Sequence, residues 1–331
     1  MGVDINVPPM NNRNDATVHC CAECGVAGGI SLKACMSCKL VRYCNVNCQR
    51  NHWKKHKKEC KQRAAELHDE ALLKDPPAKE DCPICFILIP IGLVCCVSLP
   101  PATISSVPIR DFANANEELA NKAMEQYYSC CGKSICSGCI HSFCESGNLD
   151  NCPYCNAEVD KTDEEYVEDI MKRVAANDAG AMYILGSTYE YGGKGLQHDH
   201  AKAMELYARA TDLGSSKARY NLAVIYRKEG DLKKAKFHTE AAAMAGHEEA
   251  RNMLGNIEFE SGNKEQAVKH WIIAASAGNF VAMHHLKRCY ENGYVSRESI
   301  DSTLTAYNTS CVEMRSEARD AYIDTIIHRN M

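Results

Sequence analysis

The sequence predicts a multidomain fold in which two small cross-braced fingers precede an all-α helical repeat (solenoid) domain. Three observations predict it. Of the 21 cysteines in 331 residues, 19 lie between Cys20 and Cys155. Most of them come as C-x-x-C pairs, the spacing with which a short turn presents two thiolates to one tetrahedral metal ion. Beyond residue 175 the chain turns rich in alanine and leucine, and its small residues recur at intervals of 32.

The bulk composition sets the outer limits. At 45% hydrophobic and 24% charged residues, the chain can build two or three domains with cores of their own. The apolar run from Phe86 to Leu99 is broken by Pro90 and Gly92. It falls short of the roughly 18–20 residues that span a bilayer, so no membrane partner is expected. The opening MGVDINVPPMNNRND has no apolar core of a secretory signal. Gly2 is not followed by the Ser or Thr at position 6 that myristoylation wants. A reducing compartment, cytoplasmic and/or nuclear, is therefore expected, and there paired thiols hold zinc rather than close disulfides.

The composition divides the chain. Residues 1–19 are polar and expected to be disordered, and 20–60 hold the first cysteine/histidine cluster. Residues 61–80 read as a helix and linker, with KQRAAELHDEALLK ended by Asp75-Pro76-Pro77. Residues 81–156 form the second cluster, interrupted by a long insertion at 86–129. Residues 157–176 are a linker and helix, 177–295 the repeats, and 296–331 a capping helix and tail.

In the first cluster the donors read Cys21-x2-Cys24, Cys35-x2-Cys38, Cys44-x3-Cys48 and His56-x3-Cys60, eight ligands in four pairs. At x3 spacing one helical turn brings two donors together. Cys20-x3-Cys24 is an alternative first pair; Cys21 is preferred on spacing. The string resembles the MYND-type zinc finger, down to Tyr43-Cys44, Cys48-Gln49 and His52-Trp53. By that resemblance Cys21, Cys24, Cys44 and Cys48 hold one zinc, and Cys35, Cys38, His56 and Cys60 the other. A segment so poor in large apolar residues takes its folding energy from the metal. The resemblance implies an interaction module for short proline-containing peptides. The basic run from Arg50 to Arg63 reads as a solvated helix beside thiolate-rich sites, and nucleic acid is not an expected partner. MYND fingers also accompany SET-type methyltransferases, but no Asn-His-Ser-Cys motif stands in this chain.

The second cluster pairs Cys82-x2-Cys85, Cys130-Cys131, Cys136-x2-Cys139 and Cys152-x2-Cys155. The segments CPIC, CCGKSICSGC and CPYC look like a RING finger. The Cys-x-His pair usual in that family aligns with Cys131-Gly132-Lys133, and lysine is a poor ligand. An all-cysteine variant resolves this by placing the pair just before the glycine. By that resemblance Cys82, Cys85, Cys136 and Cys139 hold one zinc. Cys130, Cys131, Cys152 and Cys155 hold the second, with His141 and Cys144 as reserves. RING-type ubiquitin ligases do no covalent chemistry of their own; they hold a charged ubiquitin-conjugating enzyme in a productive geometry. Ile84 and Pro153 match the apolar positions of the groove that binds that enzyme. Asn156 stands where a basic residue often follows the last ligand. The 44 residues between Cys85 and Cys130 are an unusual insertion, and its Cys95 and Cys96 are read as bystanders.

The repeats are read from their register. Ala181, Ala218, Ala250 and Ala282 are each followed at +4 by Leu185, Leu222, Leu254 and Leu286, one face of a helix. Ala203, Ala235 and Ala267 recur 32 apart, each with an alanine at +7 and a glycine at +11 (Gly214, Gly246, Gly278). Small residues let helices approach, and each glycine can close its helix in the left-handed conformation. The pattern resembles Sel-1-like repeats, relatives of tetratricopeptide repeats. Stacked helix pairs of that kind offer a surface to a protein client. His238, His270, His284 and His285 are read as solvent-facing or groove residues rather than ligands.

The whole reads as a zinc-binding interaction adaptor: a proline-containing peptide on the first finger and a client on the repeats. A ubiquitin-conjugating enzyme is the expected partner of the second finger. The rival is a scaffold whose fingers are purely structural. Closed sites of four cysteines, or of three and a histidine, leave no open position for a hydrolytic water.

Overall fold

The computed structural model describes residues 21–25, 32–77, 79, 81–87, 125–148, 150–159 and 162–329. Residues 1–19, Cys20 and nearly all of the insertion, with Cys95 and Cys96, lie outside the described residues. The chain divides into two compact units, Met1–Ala71 and Leu72–Met331. Among the described residues no helix is long and apolar enough to cross a membrane.

The first unit is built on a two-stranded antiparallel ribbon, β1 (Lys33–Ala34) with β2 (Arg42–Tyr43), which pairs Lys33 with Tyr43 and Ala34 with Arg42. Helix α1 follows, Val46–Leu72. It starts inside the first cysteine cluster and runs without a break through the segment read as a separate linker helix. The core is small: Tyr43 among Cys21, Cys35, Cys38 and Cys60, all buried, with Leu32 and Val41 beside them.

The second unit opens with a finger built on the hairpin of β3 (Glu125–Tyr128) and β4 (Lys133–Cys136), followed by α2 (Ser137–Glu145). Its core joins Ile135 and Tyr128 to Cys82, Cys136 and Cys152. The all-α domain follows: α3 (Asp163–Ala175), α4 (Ala179–Tyr191), α5 (His200–Asp212), α6 (Ser216–Lys228), α7 (Leu232–Met244), α8 (Glu248–Glu260), α9 (Lys264–Ser276), α10 (Phe280–Glu291), α11 (Arg297–Glu313) and α12 (Glu317–Arg329). Helices α4/α5, α6/α7 and α8/α9 pack as pairs and each pair stacks on the next. The tail contains two helices, α11 and α12, where one capping helix was expected.

The local chemistry explains these boundaries. Thr162 caps α3 through a full capping box with Glu165. Asp178, Asp199, Ser215, Asp231 and Asn279 each accept from the third amide of the helix that follows. Gly214, Gly246 and Gly278 end α5, α7 and α9 at φ of +92°, +89° and +96°. The alanine rows are buried at the helix contacts: Ala203, Ala210, Ala235, Ala242, Ala267 and Ala274 are all at most 3% exposed. One apolar cluster surrounds Tyr207 and Met182, and another surrounds Trp271, Leu286 and Tyr307.

The segment leading into the second finger is fastened to the helical domain. Leu72 packs on Ala242, Ala243, Ala250 and Leu254, and buried Arg251 donates to the Leu72 carbonyl. Lys79 forms a buried ion pair with Glu248 and donates to the Ala277 carbonyl at 2.7 Å. Burial pushes the Glu248 carboxyl up to about 6 even with Lys79 beside it. Lys79→Met is expected to cost about 3 kcal/mol, the lower end for breaking a buried pair, because Glu248 can take up a proton. Lys79→Met/Glu248→Gln should recover most of it. Denaturant titration of the helical signal checks this, and equal stability of single and double variants contradicts it.

Some of the repeat histidines do not sit where the sequence suggested. His270 is buried, and His285 stacks on Trp271 with ring centroids 4.8 Å apart. Burial first, then nearby cations, pushes His270 and His285 down to about 4, and fully buried His247 to about 3. The unfolded chain takes up these protons near pH 6.5, and the folded chain refuses them until pH 3–4. Their contribution to stability is therefore complete above about pH 6.5 and lost as pH falls toward 4. The denaturation midpoint should drop between pH 7 and pH 5, and His270→Gln should make that drop shallower. A slope unchanged by His270→Gln contradicts the assignment.

Candidate metal centres

Among the described residues four clusters of donors converge, and within each the ligand atoms all lie within 4.8 Å of one another. Cys21, Cys24, Cys44 and Cys48 form one, and Cys35, Cys38, His56 and Cys60 another. In the second unit Cys82, Cys85, Cys136 and Cys139 form a third, and Cys130, Cys131, Cys152 and Cys155 a fourth. In each unit the pairs interleave along the chain, so each centre closes a loop that carries a ligand pair of the other.

Two devices place the donors. The first is a tight knuckle at four of the five C-x-x-C pairs; the fifth, Cys136-x2-Cys139, runs from the end of β4 into α2 instead. The amide after the second cysteine donates to the carbonyl of the first: Gly25 to Cys21, Lys39 to Cys35, Phe86 to Cys82 and Asn156 to Cys152, at 2.8–2.9 Å. All four donors have positive φ, from 56° to 71°. The second device is helix α1. Cys48, His52, His56 and Cys60 follow one another at i, i+4, a single stripe on one helix face. Cys48 serves one centre and His56 with Cys60 the other, so one helix braces both.

The distances fit zinc. A tetrahedron with metal–sulfur bonds of about 2.3 Å has sulfur–sulfur edges of about 3.8 Å. Sγ separations are 3.7 Å for Cys24–Cys44, 3.6 Å for Cys35–Cys60, 3.9 Å for Cys82–Cys139 and 3.8 Å for Cys131–Cys152. His56 turns Nε2 toward Cys38 Sγ at 3.1 Å. The described cysteines are free thiols. Crowded sulfurs cannot all ionise unaided. Burial and then Cys35 push the Cys60 thiol up to about 12, and Cys44 with burial does the same to Cys48. The amides of Cys24 and Cys44 hold Cys21 down at about 6. A bound dication removes that conflict, because it lets every thiolate of a centre carry its charge. The donor sets are those of closed, structural zinc sites.

Adjacent Cys130 and Cys131 both reach the fourth centre because they lie in the turn between β3 and β4. In a strand they would point to opposite faces. Cys130 Sγ lies 3.5 Å from that of Cys155. His141 is turned instead toward Tyr322 and Thr325 of α12, and Cys144 belongs to none of the four groups. Ile84 packs, half-buried, against the core of this finger. Pro153 is half-buried in the last knuckle, next to exposed Tyr154.

A support around the first finger was not assigned from sequence. Buried Tyr43 forms a hydrogen bond of 2.9 Å with His52 Nδ1. His52 in turn stacks on His56 at 5.7 Å and 11°. The i+4 spacing of His52 and His56 was the available signal.

Comparisons with known proteins bear on this geometry. Residues 21–60 match the family model of the MYND finger. Ubiquitin carboxyl-terminal hydrolase 19 of Arabidopsis thaliana is 46% identical over 52 residues, 15% of this chain and 8% of that protein. A SET and MYND domain-containing protein of Dictyostelium discoideum is 48% identical over 46 residues, 12% of this chain and 8% of that one. The chain thus covers less than a tenth of the length of these relatives. Among solved structures, a Sel1 repeat protein from Oxalobacter formigenes is 23% identical at a TM-score of 0.39, over 46% of this chain and 65% of that one. The protective antigen c5321 of uropathogenic Escherichia coli, with an SLR fold, is 19% identical at 0.37, over 57% and 44%.

His52→Ala removes the ring stacked on His56 and the partner of Tyr43. It should weaken the Cys35–Cys38–His56–Cys60 centre about tenfold, as losses of outer-sphere support do. Chelator competition on the purified chain measures this, and unchanged affinity contradicts it.

Proposed function

We propose that this chain is a zinc-braced protein-interaction adaptor whose first finger takes a proline-containing peptide and whose helical domain takes a protein client. The observation that carries the reading is apolar exposure on a finger too small to waste apolar surface. Met36 is 89% exposed, Val46 60%, Leu40 50% and Trp53 41%. An indole at a surface is a good platform for a proline ring, since it offers a rigid apolar face at low entropic cost. The metal centres serve as closed structural braces, and the adaptor works in the cytoplasm or nucleus, where thiolates stay reduced. An array of fluorescent proline-containing peptides tests this. The expected result is binding that Trp53→Ala weakens at least about tenfold with zinc content unchanged. Binding indifferent to Trp53→Ala contradicts it.

A second reading rests on Ile84 and Pro153. In it the second finger is RING-like and docks a ubiquitin-conjugating enzyme, making the adaptor a ubiquitin ligase. Half-buried Ile84 and Pro153, with Phe86 77% and Tyr154 48% exposed beside them, supply apolar surface for such docking. Autoubiquitination with a panel of conjugating enzymes is expected to yield chains that Ile84→Ala abolishes while zinc is retained. Full activity of Ile84→Ala, or no chains with any enzyme, contradicts it.

A further inference from the structure

Both centres of the second finger are approached by an arginine from the helical domain. On α12, Arg319 is 1% exposed. Its Nη1 donates to the Met314 carbonyl at 2.6 Å and its Nη2 to the Ile87 carbonyl at 3.1 Å, two residues beyond Cys85. Nη2 also lies 4.0 Å from Cys85 Sγ. On α3, half-buried Arg173 donates through Nε to the Ser129 carbonyl at 2.8 Å and through Nη2 to the Cys130 carbonyl at 2.6 Å.

An independent observation concerns the residues between and beside the ligands. Gly138, between Cys136 and Cys139, touches the backbone of α12: a Cβ there would stand 2.6 Å from Arg319 N and 2.7 Å from its Cγ. Gly132, directly after Cys131 and at a φ of +69°, lies under both the other arginine and Asp178, where a Cβ would stand 3.0 Å from Arg173 Nη1 and 2.9 Å from Asp178 Oδ2. Gly138 thus leaves room for Arg319 alone, and Gly132 for Arg173 together with Asp178. The chemistry is complementary as well. A zinc ion with four thiolates carries a formal charge of about −2. A guanidinium keeps its proton even when buried, and its fixed fork holds backbone carbonyls in place.

We propose that Arg319 is a positioning residue of the Cys82–Cys85–Cys136–Cys139 centre and Arg173 of the Cys130–Cys131–Cys152–Cys155 centre. The helical domain then sets how tightly the second finger keeps its metal. Arg319 fixes the segment leaving Cys85 and compensates the charge of its centre; Arg173 fixes the turn that aims Cys130 and Cys131. The inference rests on the reading that these clusters hold zinc, and its test separates the two.

The full chain, reduced and zinc-loaded, is mixed with a chromogenic chelator and zinc release is followed in time. Cys82→Ser and Cys152→Ser variants assign each released equivalent to its centre. Arg319→Gln is expected to release the equivalent of its own centre about tenfold faster, the usual scale for outer-sphere losses, and the others at their original rates. Arg319→Lys should lie between. Arg173→Gln should accelerate the other centre of the finger. Gly138→Ala keeps the arginine but pushes α12 away, so it should copy Arg319→Gln and serves if that variant does not fold. Unchanged release in Arg319→Gln and Gly138→Ala overturns the proposal, as does equal acceleration of every equivalent, which marks general unfolding. A wild-type chain with zinc in the first finger alone overturns the underlying reading instead.

Discussion

Convergence of four soft donors on one point is the constraint from which the rest of both fingers follows. Among the described residues neither finger has an apolar core large enough to fold alone. The first relies on Tyr43, and the second on Ile135 and Tyr128, with cysteines filling the space between. The thiolates repel one another until a dication is among them, so metal binding and folding are one event. Interleaving extends that dependence, because α1 gives Cys48 to one centre and His56 with Cys60 to the other.

The second finger is part of the helical domain rather than a module strung beside it. Helix α2 packs on α12, near the carboxyl end of the chain, and the hairpin of β3 and β4 meets α3 and α4 at the other end of the helical array. Tyr127 of β3 donates to Asp178, the residue that caps α4. A finger gripped from both ends of the array holds those ends in fixed relation. The cysteines of the finger thereby help to tie the two ends of the helical array together.

Much of this was legible in the sequence. The C-x-x-C pairs and the 32-residue alanine and glycine register lead directly to the metal clusters and to the helix pairs. The knuckles were only half legible. Gly25 and Asn156 tolerate a left-handed backbone and advertise it, whereas Lys39 and Phe86 adopt the same φ without any signal, held there by the knuckle hydrogen bond. Helix α1 was legible in pieces, as a helical turn at each x3 pair, a solvated helix over Arg50 to Arg63 and a helix over 61–74; its running unbroken from Val46 to Leu72 was not. The arginine contacts were out of reach: Arg319 and Ile87 are 232 positions apart, and no local pattern couples them. Likewise the buried state of His270 depends on what packs above it, which a polar residue in a helix does not reveal.

The most direct test of this account is the zinc content of the purified, reduced chain, by elemental mass spectrometry against a quantitative protein assay. Close to four zinc ions per chain are expected, two for each pair of interleaved centres. A value of two or fewer would contradict it, because the second finger would then be held together by something other than metal.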